Sequence, residues 1–123
     1  MSETAPDSAA AAIESWHAHV YFDQATKTRA WDLKQRVGEA FGDRVTVGRF
    51  HERPVGPHPM WSFQIAFQPD VFADLVPWLA LERDGLVVLV HPNAGDDLLD
   101  HRDRALWLGA GLDLKLGMFE RDG

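Results

Sequence analysis

Trp16, Ala18, Val20 and Phe22 are apolar, and His17, His19 and Tyr21 stand between them. This period-two alternation predicts a strand over 16–22 with one face turned to a core. The period then changes. Ala30, Leu33, Val37, Ala40 and Phe41 recur at helical spacing, with Asp23 or Thr26 placed to cap and Gly42 to stop the helix. The short β-branched run RVTVGRF (44–50) predicts a second strand, and three prolines stiffen HERPVGPHP (51–59) into a turn. Alternation returns in MWSFQIAF (60–67), where Trp61, Phe63, Ile65 and Phe67 form the core side and Ser62 and Gln64 the other. Pro69 suits the first turn of a helix striped with Val71, Phe72, Leu75, Leu79 and Leu81, which Pro77 is expected to kink or divide. LVVLVH (86–91) predicts a fourth strand, followed by the loop PNAGDD. Asp97 or Asp100 is expected to cap a last helix carrying Leu106, Trp107 and Leu108 and ending at Gly109, and GLDLKLGMF (111–119) suits a short extra strand.

The order β-α-β-β-α-β defines an α+β fold class, the ferredoxin-like split βαβ sandwich (βαββαβ) with a C-terminal helical extension. Two helices cover one face of its sheet. The other face is expected to be open and to serve in dimerisation. With the first and third strands taken as parallel in the sheet centre, His17, His19, His51, His58 and His91 are all expected at one end of the sheet. Parity puts His17 and His19 on the face away from the helices, and His91 joins them if Val88 and Val90 point to the helices.

Composition narrows the function. The 123 residues suit one domain over 13–123 behind a flexible tail, 1–12. Net charge is −7, without a dense Lys/Arg run, so the footprint of a nucleic-acid binder is missing. No apolar run approaches membrane-spanning length, and the acidic N-terminus lacks the features of a secretory signal. Cysteine is absent, which is compatible with a reducing cytosol, so a cytoplasmic location is expected. Any metal must then be held by His and carboxylates.

A single histidine is more often a surface or hydrogen-bonded residue than a ligand. Several converging ones suit a metal site, because neutral imidazole is the commonest metal ligand and His-x-His on a strand offers two nitrogens on one side. Either a third imidazole or a carboxylate completes such a site. Glu52 is the nearest carboxylate in sequence, although an exposed hairpin charge is its simpler reading. Asp100 suits a helix cap, His101 a general acid/base or a solvated helix residue, and Arg53 an anion contact or a solvated arginine. Tyr21 and Trp107 read as core or interface aromatics.

The segments HAHVYFD (17–23), PVGPHPMWSFQIAF (54–67), LVVLVHPNAGDDLLDH (86–101) and ALWLG (105–109) together resemble the DOPA 4,5-dioxygenase family over about 16–116. The resemblance implies a non-haem Fe(II)-dependent extradiol dioxygenase acting on a catechol, a small aromatic diol, with O₂; Zn or Ni could replace iron in a purified sample. Carried onto this chain, it implies metal ligands His19, His58 and His91. His17 and His101 are then the catalytic acid/base candidates, and His17 is also the first alternative ligand. The competing reading is a non-catalytic or cofactor-free dimeric barrel module that binds a small aromatic or a metal.

Overall fold

Strict alternation over Ser15–Phe22 forms strand β1 at the centre of the sheet in the computed structural model, which describes residues 11–120. Most of the expected tail, 1–12, therefore lies outside the described residues. Helix α1 spans Lys27–Phe41 and turns Ala30, Leu33, Val37 and Phe41 inward. Its N-cap is Thr26, whose hydroxyl accepts from the Asp23 N–H while Asp23 Oδ1 accepts from the Thr26 N–H, so the pair closes a turn before the helix. Gly42 ends α1 at φ 56°, where a side chain would be strained.

A ¹³-atom-ring helix gives way to 3₁₀ geometry over Gly42–Arg44, and the short strand β2 follows at Val45–Val47. β3 is Trp61–Phe67. After a 3₁₀ turn at Pro69–Val71, helix α2 runs Phe72–Glu82 as one helix with Pro77 inside it. Its buried residues are Leu75 and Leu79, whereas Leu81, expected on the buried stripe, is 84% exposed. β4, Val88–Asn93, continues through Pro92 because β5 pairs only with Val88–Val90, so the missing N–H disrupts no ladder there.

Three expectations are corrected. The sheet order is β2-β3-β1-β4-β5 and every neighbouring pair is antiparallel, including β1 with β3. A split βαβ unit makes β1 parallel to β2, with β3 running between them in the opposite sense, so the histidines before β3 and at the start of β1 do not share a sheet end. The expected last helix is also shorter. α3 is only Asp97–His101, capped by Asp96, whose carboxylate accepts from the Leu99 N–H. Leu106–Leu108 instead forms strand β5, paired with Val88–Val90. The stretch 111–119, expected to add a strand, ends in a 3₁₀ turn at Leu116–Phe119.

The core lies between the helices and the sheet. Val20, Phe63, Ile65, Val88 and Val90 meet Leu33, Val37, Leu75 and Leu79, all fully buried. Each such side chain contributes about 1.5–3 kcal/mol on burial. The opposite face is not bare. His19, Tyr21, Leu89 and His91 are buried there within a single chain. The 51–60 loop and the segment after β4 fold over them, tied together by the Lys115 N–H donating to the Pro57 carbonyl at 2.8 Å.

A candidate metal centre on the covered sheet face

The alternation that buries Ala18, Val20 and Phe22 turns His17, His19 and Tyr21 to the other face of β1. In β4, Val88 and Val90 point to the helices, so Leu89 and His91 join them. The β1–β4 register sets His17 opposite His91. One ring nitrogen from each of His17, His19 and His91 lies within 4.8 Å of the others. His19 Nε2 and His91 Nε2 are 3.0 Å apart. Two nitrogens bound to one metal at about 2.1 Å and about 90° sit about 3.0 Å from each other, so this spacing fits a shared ion.

The protonation chemistry also fits. His91 Nδ1–H donates to the Pro92 carbonyl at 2.9 Å, which leaves a lone pair on Nε2 facing His19. Such a bond on the far nitrogen fixes ring and tautomer in metal-binding histidines generally. Burial lowers the His91 pKa to about 4 against the smaller opposing effect of the Pro92 bond. Burial, then the neighbouring imidazoles of His58 and His91, drives His19 well below its usual value, and burial with His101 lowers His17. All three shifts favour the neutral ring, the state a metal requires.

His58 arrives from the far end of the sheet. Its loop returns at His51, which bridges to Ser62, and the His58 N–H closes a turn on the Val55 carbonyl at 3.0 Å. The loop lies over the sheet face and packs His58 on His19, with ring centroids 4.2 Å apart. His58 Nδ1 is 2.7 Å from the buried hydroxyl of Tyr21. Burial, then the imidazoles of His101, His51 and His17, lowers the His58 pKa to about 4, and burial raises that of Tyr21. On the other side, α3 packs His101 against His91 at 4.0 Å, and Phe119 packs on His101 at 4.7 Å. His101 Nδ1–H donates to the Asp97 carbonyl at 2.7 Å, leaving Nε2 as an acceptor.

Five histidines thus converge on the sheet face: His17, His19, His58, His91 and His101. Glu52 is not among them. It is exposed and ion-paired with Lys27 at 2.6 Å, and Arg53 is exposed. Among the described residues, the group able to hold a metal contains histidines alone. Asp100 is no helix cap. Buried inside α3, it accepts from the Ala94 N–H at 2.8 Å and from Arg104 Nη1 at 2.9 Å, anchoring the loop after β4. Sequence reasoning passed over Tyr21 as a core aromatic, although it shares the parity of His17 and His19. A cavity of about 220 Å³ opens beside His101, lined by Trp107, Arg102, Asp113 and three leucines.

An α+β sandwich with a largely buried, all-imidazole donor group on one sheet face defines a candidate metal-binding domain. Residues 16–118 match the model of the Dopa 4,5-dioxygenase family, and the chain belongs to that family. It is 34% identical over 111 residues to a DOPA 4,5-dioxygenase of Amanita muscaria, covering 85% of this chain and 49% of that protein. An uncharacterised 21.2 kDa protein of Botryotinia fuckeliana is 36% identical over 118 residues, covering 87% of this chain and 64% of that one. The chain thus spans roughly half to two thirds of the length of these curated relatives. A crystal structure of a candidate dioxygenase from Nostoc punctiforme superposes with a TM-score of 0.77 at 47% identity, covering 86% of this chain and 90% of that one.

Proposed function

We propose that this chain is a metal-dependent dioxygenase that opens the ring of a catechol with O₂ in the extradiol manner, using Fe(II). The observation that carries the reading is the group formed by half-buried His17 and buried His19 and His91 in a chain of this family. The geometry favours His17 over His58 as the third ligand, because His17, His19 and His91 bring one ring nitrogen each within 4.8 Å of one another. Bound ferrous iron would supply a redox-active Lewis acid at which a ring diol and O₂ react. In the net reaction the ring C–C bond beside the diol breaks and both oxygen atoms enter the product, so no external reductant is consumed.

The chain's own part is positioning and proton handling. The cover formed by the 51–60 loop and the C-terminal segment keeps bulk water off His19 and His91, both buried. His101 Nε2, with Nδ1 held by the Asp97 carbonyl, is an acceptor able to take a proton from a catechol hydroxyl. The adjoining cavity can accept the ring's substituent, with Trp107 supplying an apolar wall.

The test is oxygen uptake with simultaneous absorbance spectra, on protein loaded with Fe(II) without air and then mixed with aerated DOPA, caffeate or protocatechuate. Uptake with a yellow semialdehyde product is expected, and His19→Ala should abolish both. Stoichiometric iron with no uptake on any catechol would overturn the reading.

A further inference from the structure

We propose that Tyr21 is a positioning residue that holds His58 in the Nε2–H form, so that His58 stands beside the metal site as a hydrogen-bond donor and outside its ligand set. The inference rests on the reading of His17, His19 and His91 as the metal group.

The hydrogen bond of 2.7 Å joins two buried side chains. His58 Nδ1 is the one partner of the Tyr21 hydroxyl among the described residues. If His58 Nδ1 were the donor, the phenol proton would be left buried without an acceptor, at a cost of about 1–3 kcal/mol. The phenol therefore donates to Nδ1, and the imidazole proton resides on Nε2. Nε2 has no partner within the described chain, yet among the described residues no fully buried polar side-chain atom lacks one. The Nε2–H edge of His58 therefore reaches accessible space, on a ring packed 4.2 Å from His19. A metal ligand needs a lone pair at that nitrogen, and with Nδ1 taken by the phenol proton His58 cannot shift its own proton there to free one. Its natural partner would be an anionic oxygen of a bound substrate. The loop prepares the ring for this: Pro57 and Pro59 flank His58, and the Pro57 carbonyl is tied down by Lys115. Tyr21 is itself fixed by stacking on Trp107, with centroids 6.1 Å apart.

The test is NMR on the full chain with ¹⁵N-labelled histidine, reading each ring's tautomer from two- and three-bond ¹H–¹⁵N correlations before and after Zn²⁺ is added. His58 is expected as the Nε2–H tautomer in both states, while His17, His19 and His91 shift to metal-bound positions. A His58 that carries its proton on Nδ1, or whose Nε2 moves to a metal-bound position, overturns the proposal. Tyr21→Phe supplies the second arm. Its Zn²⁺ affinity should stay within about threefold of the parent, whereas His19→Ala should lose at least tenfold. A loss in Tyr21→Phe equal to that in His19→Ala would make His58 a ligand and overturn the proposal. In the Fe(II) assay, Tyr21→Phe should lower kcat about tenfold or more with KM nearly unchanged. The tautomer and Zn²⁺ readouts do not depend on catechol turnover, so failure of the proposed reaction and failure of this inference are told apart.

Discussion

His91 uses Nδ1 for the Pro92 carbonyl, His58 uses it for Tyr21, and His101 uses it for Asp97. Three imidazoles of one cluster thus have one nitrogen fixed by a partner and the other left for chemistry. Their neutrality has a measurable consequence. The unfolded chain protonates histidine near 6.5, while folded His58 and His91 resist protonation until about 4 because burial penalises the charge. Between those values the unfolded state binds more protons. Stability from these groups is therefore full above about pH 6.5 and is lost as pH falls towards 4. Urea denaturation at pH 5 should show a lower midpoint than at pH 7. His58→Gln should reduce that pH difference, and a midpoint that did not move would mean these rings are not held neutral.

At the scale of elements, α3 is a five-residue helix that could not persist alone. Its hold on the sheet is Asp100, whose carboxylate caps the Ala94 N–H and pairs with Arg104. The same helix carries His101 onto His91. Asp100→Ala should cost about 1–3 kcal/mol, since it leaves the Ala94 N–H without its partner. Urea unfolding measures that loss. Oxygen uptake should fall more than the stability change implies, because His101 loses its seat. Unchanged uptake in a folded Asp100→Ala protein would separate α3 from the chemistry. By contrast, Ile65→Ala on the helix-facing side of β3 should cost about 2–5 kcal/mol and leave Zn²⁺ affinity unchanged.

For the whole molecule, the proposed metal group draws on β1 and β4, which are joined only through the folded sheet. An ion bound there stabilises the folded state, by about 2.7 kcal/mol at a concentration one hundred times its Kd. Thermal denaturation should therefore move upward with Zn²⁺ and return on adding a chelator, with no such shift in His19→Ala. One chain also supplies every histidine of the cluster and covers it with its own loop and C-terminal segment. Activity per chain is accordingly expected to be independent of protein concentration. A loss of activity on dilution, matched to dissociation in sedimentation velocity, would instead assign a residue of the site to a second copy. Among the described residues no helix is long and apolar enough to cross a membrane.

Alternation in WHAHVYF was enough to put His17 and His19 on one face of a strand, and the parity of LVVLVH to add His91, because side-chain direction along a strand follows from backbone geometry alone. The order of helical and alternating segments was enough for the α+β sandwich. Local pattern could not supply strand direction across the sheet, and an assumed parallel centre sent all the histidines to one end. The antiparallel register put His17 opposite His91 and carried His58 in from the other end by a loop. Leu106–Leu108 became a strand because the free edge of β4 offered hydrogen bonds that a further helical turn would have forgone. The 2.7 Å bond between Tyr21 and His58, residues 37 apart in sequence, and the 3.0 Å approach of His19 to His91, 72 apart, exist only once the sheet is paired and its loops are packed. Contacts at that separation depend on register and loop path, and no periodicity within the chain encodes them.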